Sequence, residues 1–207
     1  LEYLRNDAAQ TRVHDVTTSE ASMTLRYAPG ESFVNSKQRR VPVSLDAPVF
    51  TLTHAMGFKG VLGGEYNFNR TEASIWKRFW LPASWGKIDC SVKAGAEWNT
   101  VPFPLLILPE ANLSYITQRE TFCLINNMEF LNDRFASMSI SYDMNGKLFN
   151  RIPLLKNLKW REMFRVRALW GTLTDKNNPF KSSNPDLFRF PTRDGKFTSC
   201  LLYTSPS

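Results

Sequence analysis

Long, unbroken alternation of apolar and polar residues is the feature that most restricts how this chain can fold. From Phe135 to Asn145 the even positions Ala136, Met138, Ile140, Tyr142 and Met144 are apolar, while Ser137, Ser139, Ser141, Asp143 and Asn145 are polar. From Arg161 to Gly171 the residues Phe164, Val166, Ala168 and Trp170 share one face, and Arg161, Arg165, Arg167 and Gly171 share the other, with Met163 and Leu169 as apolar exceptions. A third run sets Ile88, Cys90, Val92, Ala94, Ala96 and Trp98 against Lys87, Asp89, Ser91, Lys93, Glu97 and Asn99. Side chains alternate across a strand with a period of two, so each run reads as a strand with one apolar and one polar face. About a dozen residues of alternation exceeds the usual strand of about 5 to 6 residues and matches the roughly 9 to 11 that a tilted strand needs to cross a bilayer.

The apolar face must meet either lipid or a second layer of protein. Charges of both signs on the polar faces fit a wet lumen, and Tyr27, Trp98, Tyr142 and Trp170 at the ends of apolar faces fit interfacial girdles. The fold expected is therefore all-β: an antiparallel transmembrane β-barrel, here an incomplete barrel or open curved sheet. Its lumen-facing polar residues are expected to be Lys87, Asp89, Lys93, Glu97, Asp143, Arg165 and Arg167, with the carboxylates paired to Lys93 or Arg167. A soluble secreted β-sandwich or lipocalin-like module, binding an anionic ligand through its polar face, would show the same alternation.

The rest of the chain divides around these strands. Residues 1–19 read as a linker or the end of a preceding element, 20–191 as the partial barrel, and 192–207 as a disordered tail. Ala21, Met23, Leu25 and Tyr27 predict a first strand that stops at Pro29-Gly30. Ser32 to Pro48 reads as a basic loop and Val49 to Phe58 as a strand whose His54 would need a partner on an apolar face. Tyr66 to Leu81 reads as one long strand or two, with a bulge or turn near Arg70-Thr71 resetting its parity. Pro102, Pro104 and Pro109 bar Thr100 to Glu110 from a central strand and leave it an apolar, irregular, protected segment. Leu113 to Ile116 and Phe122 to Met128 are short strand-like pieces with a turn at Asn126-Asn127. No strand is expected after the Asn- and Pro-rich loop that begins at Asp175. The start at Leu1 predicts a fragment, and Cys200 to Ser207, which match no pattern upstream, are expected to be non-native.

Composition narrows the function. No run reaches the 18 or more apolar residues of a membrane-spanning helix, the longest patch being Val101 to Leu108. The net charge of +7 is scattered along the 207 residues rather than gathered in a patch, which argues against nucleic acid as a partner. Three cysteines, Cys90, Cys123 and Cys200, show no Cys-x-x-Cys spacing and predict neither a disulfide framework nor a zinc site. There is no Gly-x-Ser-x-Gly elbow, phosphate-binding glycine loop or His-Glu-x-x-His, and the histidines are only His14 and His54. The expectation is a non-enzymatic protein without catalytic residues, cofactor or metal.

Several stretches are familiar as a set: Leu25-Arg-Tyr-Ala-Pro-Gly-Glu31, Ser36-Lys-Gln-Arg-Arg-Val-Pro-Val43, Gly57-Phe-Lys-Gly-Val-Leu-Gly-Gly64, Val101-Pro-Phe-Pro-Leu-Leu-Ile107, Asn126-Asn-Met-Glu-Phe-Leu-Asn-Asp133 and Phe149-Asn-Arg-Ile-Pro-Leu-Leu155 with Leu158-Lys-Trp-Arg-Glu162. From about Ser19 to Phe190 the chain resembles a Bacteroidetes-type outer-membrane family of unknown function. The resemblance implies a longer protein with a secretion signal, a carboxypeptidase-regulatory-like β domain and a C-terminal barrel. It implies as partners outer-membrane lipid, the rest of the barrel and an upstream periplasmic domain, with a role in transport, export or assembly at the cell outer membrane. The connection through Lys159-Trp-Arg-Glu162 is also similar to one in the surface-antigen barrels that assemble or translocate outer-membrane proteins, but the Arg-Gly-Phe/Tyr loop motif of those barrels is absent here. Neither resemblance carries over a catalytic residue.

Overall fold

Strands of matched length and parity pair with their sequence neighbours wherever the intervening turn allows. The computed structural model describes residues 3–6, 12–35, 40–43, 46–109, 130–147, 149–151, 161–188 and 198–206. Its strands are β1 (Tyr3–Leu4), β2 (Arg12–Val13), β3 (Glu20–Tyr27), β4 (Phe33–Asn35), β5 (Arg40–Pro42), β6 (Val49–Gly57), β7 (Phe68–Trp80), β8 (Lys87–Glu97), β9 (Arg134–Asp143), β10 (Met163–Thr172) and β11 (Thr198–Pro206). Seven of them form one sheet in the order β3, β6, β7, β8, β9, β10, β11, every neighbour antiparallel. Strands β1 and β2 form one separate pair, and β4 and β5 another. The fold is thus all-β and antiparallel. Among the described residues the sheet is open, with β3 and β11 as its edges, and no helix is long and apolar enough to cross a membrane.

The register brings like faces together across the sheet. Ala94 stands between Ala73 and Ala136, Val92 between Ile75 and Met138, and Ile140 opposite Val166. Among the described residues the apolar face this creates carries no second layer: Val166, Met138, Leu52, Leu25, Met23 and Tyr27 are 38% to 67% exposed. The core lies instead at one end of the sheet, where Phe68, Val101, Phe103, Leu106, Leu131 and Phe188 are buried together. Tyr3 stacks on Phe188 at 5.3 Å and meets the edge of Phe103 at 5.5 Å between ring centroids. Each such side chain contributes roughly 1.5 to 3 kcal/mol when removed from water.

Turn chemistry fixes the opposite end. The link from β7 to β8 is short, with Ala83, Ser84 and Gly86 at positive φ and Leu81 N donating to Gly86 O at 2.9 Å. A Cβ on Gly86 would lie 1.8 Å from Asp143 O, so the turn and β9 approach each other only because this residue has no side chain. Asn145-Gly146, also at positive φ, ends the run of β9, and Asn145 N donates to the Asp143 carboxylate at 2.9 Å.

Several details differ from the sequence reading. β7 is one continuous strand of 13 residues, paired without a bulge on both sides. Its parity is masked because Asn69, Thr71 and Lys77 sit on the apolar face and Trp76 and Trp80 on the polar one. Asn69 and Thr71 are bonded: His54 Nδ1 lies 2.9 Å from Thr71 Oγ1, Trp98 Nε1 donates to the same hydroxyl at 3.0 Å, and Asn69 Nδ2 donates to Asn99 Oδ1 at 3.2 Å. Within residues 1–19, read as a linker or the end of a preceding element, Tyr3 packs against the core and Arg5 forms a bridge with Phe188. The basic loop holds the β4–β5 hairpin. The tail, expected to carry no strand, supplies β11, from Thr198 opposite Thr172 to Pro206 opposite Phe164. The pieces expected at Leu113 to Ile116 and Phe122 to Met128, with their Asn126-Asn127 turn, lie outside the described residues, as does most of the connection through Ile152 to Leu158.

Candidate functional site

Because paired residues on antiparallel strands share a face, the polar face can be read as rows running across the sheet. One row is Arg78, Asp89, Ser141, Arg165; the next is Trp76, Ser91, Ser139, Arg167; a third is Ser74, Lys93, Ser137, Leu169. On the turn side, Trp80, Lys87, Asp143 and Met163 form a fourth. Side chains of β7 to β10, with Arg161 just before β10, line one groove of about 740 Å3 on this face.

Ion pairs organise the groove wall. Arg78 grips Asp89 with two bonds, Nε to Oδ1 at 2.6 Å and Nη2 to Oδ2 at 3.0 Å. Its guanidinium also lies 5.4 Å from the ring centre of Trp76 and 5.7 Å from that of Trp80. This two-bond fork holds the planar group in one orientation between the indoles. Lys93 Nζ is 3.8 Å from Glu72, and Lys87 Nζ is 4.0 Å from Asp143. Six cationic side chains against two carboxylates line the groove, which makes it electropositive.

The seven polar residues picked out by alternation all lie on this face. Lys87, Asp89, Lys93, Asp143, Arg165 and Arg167 line the groove. Glu97 does not: at 1% exposure it is shut into the core end, 3.5 Å from Arg70 Nε and accepting Asn69 N at 3.1 Å. The expected pairing of carboxylates with Lys93 or Arg167 is also corrected, since the partners of Asp89, Glu97 and Asp143 are Arg78, Arg70 and Lys87. Sequence reasoning missed Arg70, Glu72, Ser74 and Arg78. Their own alternation along β7 was the available signal, hidden by the indoles of Trp76 and Trp80.

At the core end the segment after β8 turns in over the polar face. Val101, Pro102, Phe103, Leu106 and Ile107 are buried, a short 3₁₀ turn spans Phe103–Leu105, and Leu106, Ile107, Leu108 and Pro109 share with Arg70, Glu72 and Lys93 the wall of a smaller cavity of about 320 Å3. The three prolines keep this stretch out of the ladder, so its backbone groups find other partners. Arg70 Nη2 donates to Leu105 O at 2.5 Å, Val101 N to Asn177 Oδ1 at 2.9 Å, and Ile107 exchanges bonds with Asn132. Asp133, fully buried, accepts from Thr174 N and Asn177 Nδ2, both at 3.1 Å, and from the Thr174 hydroxyl. Nearby, burial raises the Tyr66 phenol above its ordinary value, with the Arg5 charge pulling the other way.

Among the described residues no group of three or more His, Cys, Asp or Glu side chains could hold a metal ion.

Comparison with curated proteins finds no match, and comparison with solved structures finds none. A family model does match, over residues 3–180, and its description is the C-terminal domain of a family of unknown function, DUF5686. The match takes in the sheet from β3 to β10, the inward segment and most of the core; the chain belongs to the DUF5686 family.

Proposed function

We propose that this chain is part of a transmembrane β-barrel of the cell outer membrane, a non-enzymatic, surface-anchored component of transport, export or assembly. The observation that carries the reading is the uncovered apolar face bounded by aromatics at both ends. Tyr27, Phe79 and Phe164 lie toward the turn end, and Trp98 and Trp170 toward the core end, all between 46% and 67% exposed. On β8 the face runs from Ile88 to Trp98, about 33 Å along the strand, or about 25 Å along the normal at a tilt near 40°, the height of a barrel's apolar band. Outer-membrane lipid covers that face, and further strands of the same protein pair with the open edges, so that closure satisfies every backbone group. The family resemblance adds an upstream periplasmic domain.

The alternative, a soluble secreted sandwich or lipocalin-like module, needs a second layer over the same face. None lies there among the described residues, which favours the barrel. The test is to produce the complete polypeptide with and without detergent. Aggregation relieved by micelles, with tryptophan fluorescence quenched by brominated acyl chains, is expected. A monodisperse, cooperatively unfolding monomer in plain buffer would sink the proposal.

A further inference from the structure

The groove on the polar face is charged beyond what its own pairing uses. Of its cations, Arg78 is committed to Asp89, Lys87 lies beside Asp143 and Lys93 beside Glu72. Arg161 and Arg165, both lining the groove, have no ion-pair partner among the described residues. They are four residues apart with the same parity, about 13 Å along an extended chain. Beside Arg165 in its row stands Ser141, and Ser139 lies one row away, so hydroxyl donors flank the guanidinium.

We propose that this groove binds a free, phosphate-bearing anionic solute, held chiefly by Arg161 and Arg165. Guanidinium forks match the paired oxygens of a phosphate, and serine hydroxyls supply further donors to an acceptor-rich group. Phosphate offers several equivalent oxygens to donors arriving from two strands, where a single carboxylate offers two. The groove volume of about 740 Å3 is that of a site for a small molecule. A lipid headgroup presents the same chemistry, but the groove opens on the face opposite to the apolar one. The inference deepens the barrel reading, in which that face borders water.

The test is calorimetric titration of the complete protein in neutral-detergent micelles with inorganic tripolyphosphate. Saturable binding that weakens with added salt is expected. R161Q/R165Q should weaken it at least tenfold, and R134Q, an exposed arginine outside the groove, should not change it, with near-ultraviolet circular dichroism the same in all three. Absence of saturable binding, or an unchanged double variant, overturns the proposal. Competition by phosphatidylglycerol added to the micelles, lost in the same double variant, overturns the free solute in favour of a headgroup. A protein that is monodisperse without detergent yet binds tripolyphosphate through these arginines would refute the barrel and leave the site standing, whereas an inserted barrel without binding would do the reverse.

Discussion

Ala94→Arg separates a lipid-facing sheet from a water-facing one by magnitude. Ala94 lies on the apolar face between Ala73 and Ala136, six residues from Ile88 and four from Trp98. At a tilt near 40° these spacings put it about 15 Å and about 10 Å along the normal from the two ends of the band, near its middle. An arginine at that depth costs about 2 to 4 kcal/mol in a bilayer. The same exposed position in water would tolerate arginine within about 0.5 kcal/mol. Thr53→Arg is the matched control: it lies on the polar face, paired across the strands with Thr24 and Glu72, so the new charge meets an acid. Reversible urea unfolding in bilayers, followed by tryptophan fluorescence, should show the large loss for Ala94→Arg alone. Equal effects at both sites, or a loss below about 0.5 kcal/mol at Ala94, would refute the assignment of faces.

Three further outcomes are expected. Asp133→Ala removes the acceptor of Thr174 N and Asn177 Nδ2 at the core end and should cost about 2 kcal/mol or more in denaturant unfolding, given roughly 1 to 3 kcal/mol for each orphaned group. Gly86→Ala places a Cβ against Asp143 O at a φ of 93° and should destabilise by more than about 1 kcal/mol, read as a lowered Tm. Because burial holds the Tyr66 phenol above its unfolded value, its contribution to stability is intact below pH about 10 and is lost as pH climbs from there through the raised folded value. Ultraviolet titration should show one late-ionising tyrosine in the native protein that is absent in Tyr66→Phe.

What could be read from the sequence was what alternation encodes directly. β8, β9 and β10 follow their parity apart from Phe135, Met163 and Leu169, and aligning the two apolar faces puts Ile140 and Val166 on the same side of the sheet. β7 was harder because aromatic rings serve on either face, so Trp76 and Trp80 counterfeit a parity break. Glu97 looked like a lumen charge by parity alone. Its burial depends on the inward segment after β8 and on Arg70 across the strand pair, contacts that no local pattern specifies. Asn132, Asp133 and Asn177 were invisible for the same reason: they bond to one another's loops across long stretches of chain. Tyr3 gave no local sign of its place beside Phe103 and Phe188.

The end-loaded core imposes an order on assembly. The sheet is almost wholly a meander of neighbouring strands, so each new strand can zip onto the last with little loop entropy to overcome. The staple at its end is the opposite case: Asn6 Nδ2 bonds Pro179 O across 173 residues, and Tyr3 stacks on Phe188. A growing chain can therefore zip from β3 to β10 before the staple exists, and Tyr3 and Asn6 must wait, uncommitted, for Pro179 and Phe188. Until they meet, the strand ends at the core side are free to splay, and strands can still be added or exchanged at the edges. Docking of Tyr3 and Asn6 is then the latch that ties the core-side ends of the strands already paired, while the edges at β3 and β11 stay open to further strands.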